Sequence, residues 1–400
     1  MAAAAAQTPE APTSTGVLER MKILNSIKPK DGWLATPPGL SSELWDIYRN
    51  QFEIEPQGNR IDYARVGLGR LLFFDKRLSR DHTIACATCH DPKYGFADPS
   101  IKSTGIDGHT AARNTPTVLN VGLLQNLFWD GRAKTLEEQV AGPILNPAEM
   151  GMPDRVSVVK RIREVPEYVA LFELAYGREP KFEDVTKALA AFQRTLIFVD
   201  APFDAFRAGQ ENAISVEASK GMDLFAKHCT SCHPISLSAP LLSDGNFHNI
   251  GIGSNTSDHQ ELGRAAYPEL RLASRDTSVG ITSIVTKYGE LGRALISTLE
   301  YQVGAFRTAP LRNIALTAPY MHDGSIETLW GVVAHYNKGG IPNTWLDPQI
   351  MPLGLNEQEV DQIVAFLFCL TDHRLEAESK LAFTTQKRRF AELLEAKRSK

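Results

Sequence analysis

The chain has 400 residues, too many for one small core and enough for two or three domains of ordinary size. Hydrophobic residues make up 43% of the sequence and charged residues 22%, a composition that excludes a disordered or fibrous protein. The net charge is −4 and no stretch reaches the roughly 18 apolar residues that a membrane span needs, so we expect neither nucleic acid as a partner nor a transmembrane helix.

Helical patterning dominates the chain and predicts a mainly α fold. Residues 1–58 are expected to form a leader followed by a helix over 41–51 that packs across the domains. Further helices are predicted over 135–141, 155–164, 182–196, 216–228, 326–336 and 356–369. Long irregular loops are expected at 91–114 and 240–256, and a highly charged helix from about Glu376 to the C-terminus.

Four of the five cysteines form two C-x-x-C pairs, each followed directly by a histidine. At this cysteine and histidine content, chance predicts roughly 0.002 copies of such a motif, so the pattern is not a coincidence. Two thiols at this spacing can add to both vinyl groups of one haem while the adjacent imidazole reaches the iron. Each motif therefore predicts one covalently bound haem c, attached through Cys86, Cys89 and His90 or through Cys229, Cys232 and His233.

Other uses of paired cysteines fit the pattern less well. A four-cysteine zinc site joins its halves across about 15 to 20 residues, far fewer than separate these pairs, and would not use the histidines. A thioredoxin-like pair is expected after a strand in a βαβ unit, and C-x-x-C disulfides are geometrically tight. The fifth cysteine, Cys369, lies in an apolar helical pattern and is interpreted as a packing residue.

The stretches before the two motifs resemble each other. The sequence GRLLF at 69–73 precedes the first cysteine by 13 residues, and GMDLF at 221–225 precedes the second pair by four. This weak internal repeat indicates one duplicated plan. We expect one haem domain over 59–203, a second over 204–375, and a charged helical tail over 376–400.

The ligand opposite each histidine decides what a haem does, because a strong protein ligand favours electron transfer and an open position lets peroxide bind. Downstream of the second motif, the candidates are Met321, Tyr336 and Met351. The Met-Pro pair at 351–352 before a helix is typical of simple c-type cytochromes. The residues alone leave the choice open.

Five further segments, taken with both motifs, closely resemble the bacterial dihaem cytochrome c peroxidase and MauG family over about residues 60–372. The segments are RNTPT at 113–117, FWDGR at 128–132, LEEQ at 136–139, GPILNPAEMG at 142–151 and LRNIALTAPYMHDG at 311–324. The resemblance implies an N-terminal haem that reacts with hydrogen peroxide, a C-terminal haem that handles electrons, and a calcium ion between them.

The resemblance also assigns expected roles to residues. Glu149 is similar in position to the acid-base residue of the peroxide site, with Gln139 and Pro143 lining that site. Trp129 corresponds to the aromatic bridge between the haems.

Calcium ligands are implied at three positions on either side of the second motif. They are the Asn114 side chain and the backbone carbonyls of Thr317 and Pro319. Oxygen donors of this kind suit a hard cation.

Two positions depart from the peroxidase branch of the family. Where that branch has its axial methionine, this sequence has Tyr336, which is typical of the MauG branch; a phenolate oxygen stabilises oxidised iron, whereas a thioether favours the reduced form. Where peroxidases that need reductive activation have a distal histidine, eight residues before Asn114, this sequence has Ile106. The first haem is therefore expected to be five-coordinate, with His109 as an alternative ligand from the same glycine-rich loop.

Three functions follow as hypotheses. The leading one is a periplasmic MauG-like enzyme that uses hydrogen peroxide to oxidise aromatic residues of a partner protein; the periplasm is expected because bacteria attach haem c there. The alternatives are a cytochrome c peroxidase, with a small cytochrome as electron donor, and a non-enzymatic dihaem electron carrier. Members that mature methylamine dehydrogenase have a tryptophan two residues before the second motif, where this sequence has Lys227.

Overall fold

A computed structural model describes residue 36 and residues 41–253, 261–266, 268, 284, 285 and 287–398. Helices dominate these residues, so the prediction of a mainly α fold is confirmed. The helices named below are α1 (Ser42–Gln51), α2 (Tyr63–Phe73), α3 (Cys86–Cys89), α4 (Leu136–Leu145), α5 (Arg155–Arg163), α6 (Pro166–Tyr176), α7 (Phe182–Arg194), α8 (Pro202–Arg207), α9 (Val216–His228), α10 (Ala294–Ser297), α11 (Leu329–Asn337), α12 (Glu357–Phe368) and α13 (Glu376–Arg398). The strands β1 (Phe247–His248) and β2 (Phe306–Arg307) pair antiparallel.

Most of the predicted helices are confirmed to within two residues, and two differ in length. The helix predicted over 135–141 continues to Leu145 with Pro143 inside it. The helix predicted over 326–336 begins only at Leu329, because the Thr328 side chain accepts the Gly331 N–H and caps the helix there. The loop predicted at 240–256 is described as far as residue 253, and the leader before residue 36 lies outside the described residues.

Two helices of 11 residues each, α2 and α6, were not predicted from the sequence, and neither were the short helices α3, α8 and α10. Helix α2 contains two glycines and is buried on most of its circumference, so it lacks the one-sided apolar pattern of a surface helix. Helix α6 begins at Pro166, three residues after α5 ends at Arg163. In the sequence, the two helices look like one interrupted helical pattern, so α6 was not recognised as a separate helix. Both helices pack into the first half of the molecule.

The first hydrophobic core is built where α2 crosses α7. At the crossing, a methyl group on Gly69 would overlap the Ala188 carbonyl oxygen, so glycine permits the close approach. One turn later, Phe73 packs edge-on against Phe192, with ring centroids 5.3 Å apart, and also contacts the His90 ring at 6.5 Å. The crossing therefore positions the histidine of the first motif.

The second core repeats this arrangement where α9 crosses α12. A methyl group on Gly221 would overlap the Gln362 carbonyl oxygen. Phe225 then packs against Phe366 at 5.1 Å between ring centroids and against His233 at 6.3 Å. The repeat detected at 69–73 and 221–225 thus has a structural counterpart in two equivalent helix crossings.

Helix α1 contacts both halves of the chain. Its buried Trp45 and Tyr48 pack in a cluster with Leu123 and Val199 and with Leu241. Leu123 and Val199 precede residue 203 and Leu241 follows it, so α1 contacts residues from both halves of the sequence.

The C-terminal helix α13 packs on the second half along one face. Gln386 is only 4% exposed; its side chain donates to the Ala315 carbonyl at 2.9 Å and accepts the Leu329 N–H at 2.9 Å. Phe383 packs on Trp330 with ring centroids 5.5 Å apart. Despite its 23 residues, α13 is too charged for a bilayer, and none of the described helices is long and apolar enough to cross one.

Candidate functional site

The first C-x-x-C-H motif borders a cavity of about 200 Å³, the first cavity. Cys86 and Cys89 form the ends of α3 and His90 follows directly, and all three line this cavity. Both thiols are free, and burial raises the pKa of Cys86 to about 12 and that of Cys89 to about 11. Two uncharged sulfur atoms and an imidazole therefore share one cavity wall.

The second motif borders a separate cavity of about 220 Å³, the second cavity. Cys229, Cys232 and His233 line it, and the two thiols are again free. Burial raises the pKa of Cys229 to about 12. The two motifs thus present the same three groups to two cavities.

Both motif histidines are oriented by a backbone carbonyl. The His90 Nδ1 lies 3.2 Å from the Phe96 carbonyl oxygen, and the His233 Nδ1 lies 2.7 Å from that of Leu242. Because a carbonyl only accepts, Nδ1 must carry the proton, and burial lowers the pKa of both rings and keeps them neutral. The unprotonated nitrogen is then Nε2, the atom available to a metal.

Glu149 lies in the first cavity together with Gln139 and Pro143. The Asn146 side chain donates to Glu149 Oε1 at 2.6 Å. Burial raises the pKa of Glu149, while the positive charge of Arg132 and the Asn146 amide act against that shift. A carboxyl group with a raised pKa can both accept and return a proton nearer neutral pH. The three residues expected in the peroxide site are therefore brought together.

The guanidinium of Arg132 also lines the first cavity. It donates to the Asp130 carboxylate at 2.9 and 3.0 Å and lies over the Phe128 ring at 3.4 Å from the centroid. The buried Asp130 also accepts from Arg113 at 2.7 Å. Arg132 is thus a fixed positive charge beside Glu149, a feature that was not predicted from the sequence.

Trp129 lies in the wall between the cavities and lines both. Its indole N–H donates to the Asn114 carbonyl at 2.9 Å, and its own carbonyl accepts the Arg307 N–H at 2.8 Å. The residues that line both cavities are Asn114, Thr115, Pro116, Thr117, Leu124, Trp129 and Arg307. Trp129, the residue expected to bridge the haems, therefore lies beside both cavities.

The three candidates for the second axial ligand all line the second cavity. Tyr336, on α11, is half-buried as a whole residue, and burial of its hydroxyl raises the pKa of that group above the ordinary value. Met351 is 62% exposed, and Met321 is half-buried. Burial favours Tyr336 over Met351 as the group that points inward.

At the first cavity, the residue in the place of a distal histidine is turned away from it. Ile106 is buried but is not among the cavity-lining residues, and His109 is exposed and does not line the cavity either. In the described arrangement, neither residue is a candidate ligand opposite His90.

The sequence pattern of the di-haem cytochrome c peroxidase family matches residues 63–212. The methylamine utilization protein MauG of Methylorubrum extorquens is 36% identical over 316 residues, which cover 78% of this chain and 79% of that protein. Cytochrome c551 peroxidase of Pseudomonas aeruginosa is 34% identical over 357 residues, covering 87% of this chain and 92% of that protein.

The chain belongs to the dihaem cytochrome c peroxidase and MauG family. The crystal structure of a MauG-like protein associated with microbial copper homeostasis supports this, with a TM-score of 0.67 and 29% identity over 87% of this chain and 96% of that one. Membership makes this protein a haem-dependent oxidoreductase that uses hydrogen peroxide, and it implies two haem c groups. The predicted fold class and enzyme class are confirmed.

The wall between the cavities of this dihaem family member suits the carboxylates of a porphyrin. Arg307 is only 6% exposed, and no carboxylate of the described residues lies within 4.0 Å of it. Its side chain makes only long hydrogen bonds, of 3.5 Å to Phe128 and 3.4 Å to Thr308. Burial lowers the pKa of Arg307 to about 10, so it stays charged at neutral pH. An isolated buried cation is unfavourable, and a haem propionate would neutralise it.

The oxygens expected to bind calcium are without hydrogen-bond donors from the described residues. Asn114, Thr317 and Pro319 all line the second cavity. The Asn114 amide nitrogen donates to the Ser100 and Ile101 carbonyls at 3.4 and 3.1 Å, which leaves Oδ1 as the open atom. The donor set fits a hard cation, and a calcium site in this family member remains a proposal.

A polar network behind the second motif was not predicted from the sequence. His248 lines the second cavity, with Nε2 3.0 Å from Asp244 and Nδ1 2.6 Å from Asp347. Asp244 first, then Cys232 and Asp347, raise the pKa of His248 to about 11, so it is an imidazolium. Cys232, Asp244 and His248 also lie close enough to hold a metal ion, but a haem attached at Cys232 would remove that thiol. His248 and Asp347 are 99 residues apart, and no local pattern connects them.

Proposed function

We propose that this protein is a periplasmic enzyme that reacts with hydrogen peroxide at its N-terminal haem and oxidises aromatic side chains of a partner protein through its C-terminal haem. The observation that carries the proposal is that Tyr336, with a buried hydroxyl, lines the second cavity together with His233. An anionic oxygen ligand stabilises oxidised iron, which suits storage of oxidising equivalents better than release of electrons from a reduced donor. The periplasmic location follows from haem c attachment, which bacteria carry out there.

The haem groups would be held by the residues that line each cavity. When bound, haem c supplies the iron that reacts with peroxide and takes up the oxidising equivalents. Arg307, between the cavities, would bind a propionate. The residues that would attach and ligate the two haems are Cys86, Cys89 and His90, and Cys229, Cys232, His233 and Tyr336.

Glu149 would move the proton that peroxide cleavage requires. Its carboxylate accepts a proton from one peroxide oxygen and returns it to the other, which leaves as water. The fixed charge of Arg132 acts against the rise in the Glu149 pKa that burial causes. Conversion of one hydrogen peroxide to two waters takes two electrons and two protons; the partner's aromatic side chains would supply the electrons, and the solvent the protons.

Trp129 would carry electrons between the two haem sites. It is the aromatic side chain that lines both cavities and is held at its indole nitrogen and its carbonyl. Aromatic side chains exchange electrons readily over the distances that separate neighbouring cofactors. Calcium bound at Asn114, Thr317 and Pro319 would fix the position of Asn114. The backbone carbonyl of Asn114 accepts the hydrogen bond from the Trp129 indole, so calcium would also help to orient Trp129.

The partner would differ from methylamine dehydrogenase. Lys227 occupies the position where members that mature methylamine dehydrogenase have tryptophan, and it is exposed in the last turn of α9. Because lysine cannot take up an electron hole, electrons from a partner must enter elsewhere. The competing function is peroxide removal with a small c-type cytochrome, as in relatives named cytochrome c peroxidase.

The test uses the holoprotein with hydrogen peroxide and two alternative reductants. One is a reduced small c-type cytochrome, and the other is the product of the neighbouring gene, examined by peptide mass spectrometry for oxidised tryptophan or tyrosine. Slow cytochrome turnover together with modified aromatic residues in the partner is the expected result. Rapid cytochrome turnover without modification would favour the peroxidase function, and no reaction with peroxide at all would favour an electron carrier.

A further inference from the structure

The loop at residues 103–111 is bound to the backbone that carries Glu149. The Ile106 N–H donates to the Glu149 carbonyl at 2.9 Å. The loop is also closed on itself, since the Gly105 N–H donates to the His109 carbonyl at 2.8 Å and the Ala111 N–H donates to the Ser103 carbonyl at 2.8 Å. A closed loop is thus joined directly to the proposed acid-base residue.

Side-chain packing fits the loop to the same backbone. Ile106 is 1% exposed, and its side chain fills the space over Gly151, where a methyl group would overlap the Ile106 Cδ1. Gly151 has a φ of +65°, which glycine adopts without strain. A methyl group on Gly105 would lie 2.8 Å from the Glu149 Cα and would overlap the Ala148 carbonyl oxygen. Two glycines and one isoleucine therefore form a tight interface.

The other side of Glu149 is held by Asn146. The Glu149 N–H donates to the Asn146 carbonyl at 3.0 Å, and the Asn146 amide donates to Glu149 Oε1 at 2.6 Å. The next residue is fixed as well, because the Arg80 N–H donates to the Met150 carbonyl at 2.8 Å. With Asn146 on one side and Ile106 on the other, the Glu149 backbone has little freedom to move.

We propose that Ile106 is a positioning residue for Glu149, and that the loop at 103–111 is a fixed support that holds the carboxyl group in the first cavity before peroxide arrives. The inference rests on the proposed role of Glu149 and adds to it. The family resemblance implies only that position 106 lacks an iron ligand. The contacts of Ile106 with the Glu149 carbonyl and with Gly151 indicate that the isoleucine itself supports this backbone. A carboxyl group held in place by packing pays no ordering cost when the reaction begins.

The experiment compares Ile106→Ala with Ile106→Val and with Ile101→Ala in the holoprotein. Ile101 is 57% exposed, so Ile101→Ala makes the same chemical change in the neighbouring stretch without removing buried packing. The first measurement is hydrogen exchange of the amides at 105–107 and 149–151. The second is the rate of the peroxide reaction as a function of pH.

Ile106→Ala is expected to speed exchange at both segments and to lower the peroxide rate about tenfold, at unchanged haem content. The acid limb of its pH–rate profile should move to lower pH, because water reaches Glu149, while the other ionisable groups lining the cavity, Arg113, Arg132, Arg307 and His90, are unchanged. Ile106→Val should have a smaller effect of the same kind and remain informative if the alanine variant does not fold. Ile101→Ala should match the wild type.

Unchanged hydrogen exchange of the amides at 149–151 in Ile106→Ala would overturn the proposal. So would a lower rate of the peroxide reaction if the acid limb of the pH–rate profile stayed at the wild-type pH. Failure of the proposed function would look different. A wild-type holoprotein that does not react with peroxide would refute the role of Glu149, while the exchange measurement would still report whether Ile106 holds that backbone.

Discussion

The indole N–H of Trp129 donates to the main-chain carbonyl of Asn114 at 2.9 Å, and both residues line the two cavities. The same Asn114 carries the side-chain oxygen proposed to bind calcium. One residue therefore orients the proposed electron bridge with its backbone and would bind the proposed cation with its side chain. Calcium and electron transfer between the haems are expected to be coupled through this residue.

Replacing Trp129 by phenylalanine removes both the hydrogen bond and the oxidisable indole. We expect electron exchange between the haems to slow by about tenfold or more, equivalent to a barrier increase of at least about 1.4 kcal/mol, with both haems still attached. Stopped-flow reduction of one haem while the other is monitored measures this rate. Trp45→Phe, in a buried tryptophan that lines neither cavity, is the control and should leave the rate unchanged.

Asn114→Ala should abolish stoichiometric calcium, because it removes the one side-chain ligand of the proposed site. Thr317→Ala is a matched control, since it keeps the backbone carbonyl that is the proposed ligand. Atomic emission of dialysed holoprotein gives the calcium content of each variant. Full calcium content in Asn114→Ala would show that the ion, if bound, is held elsewhere.

Glu149→Gln should lower the rate of the peroxide reaction by about 10² to 10⁴-fold, the usual contribution of a positioned acid-base group. In the wild type, the carboxylate is the form that accepts the proton, and burial raises the pKa of Glu149. The rate should therefore increase with pH through a midpoint above the ordinary value of a glutamate. Rapid-mixing kinetics over a pH series test both points, and a profile flat across the acid range would contradict them.

Tyr336→Met and Tyr336→Phe should change the absorption and EPR spectra of the second haem without loss of covalent haem. Methionine supplies a thioether that raises the midpoint potential, and phenylalanine leaves the position open. Tyr320→Phe is the control, because Tyr320 lines the same cavity but its hydroxyl donates to the Ile314 carbonyl at 3.1 Å. Identical spectra for wild type and Tyr336→Phe would exclude tyrosine as the ligand.

Arg307→Met should lower the midpoint potentials of both haems, because loss of a positive charge between them favours the oxidised irons. A unit charge at an effective dielectric constant of about 20 corresponds to roughly 1 to 2 kcal/mol, or about 50 to 100 mV. Arg307→Lys keeps the charge and should shift the potentials much less. Spectroelectrochemical titration of both variants distinguishes this electrostatic role from simple packing, which would affect both substitutions alike.

The features that depend on short stretches of sequence were predictable. The C-x-x-C-H spacing places two thiols and an imidazole together whatever the rest of the fold, and the capping residue Asn356 marks a helix start that was predicted to within one residue. The roles of Trp129 and Glu149 were expected only through family resemblance, because their neighbours in space are far away in the chain. Tyr336 was one of three ligand candidates from the residues, and the resemblance singled it out.

The features that were missed depend on tertiary geometry. Nothing in the local sequence distinguishes Arg307 from a surface arginine. It is buried because it lies where the two cavities meet. His248 is held between Asp244, which raises its pKa most, and Asp347, which lies 99 residues away in the chain. The bond from Ile106 to the Glu149 carbonyl involves a backbone group, which carries no sequence signal at all.

The two glycine crossings described for the cores divide the molecule into a constant part and a variable part. Alanine at Gly69 or Gly221 would push apart a helix pair and displace the phenylalanine that rests on the imidazole of that half. The loops and the cavity-lining residues lie outside the crossings, so the steric requirement for glycine does not restrict their sequences. After duplication of one ancestral haem-binding domain, both copies would keep the same helix crossing to bind the porphyrin. Their cavities could then diverge, one for reaction with the oxidant and the other for electron transfer.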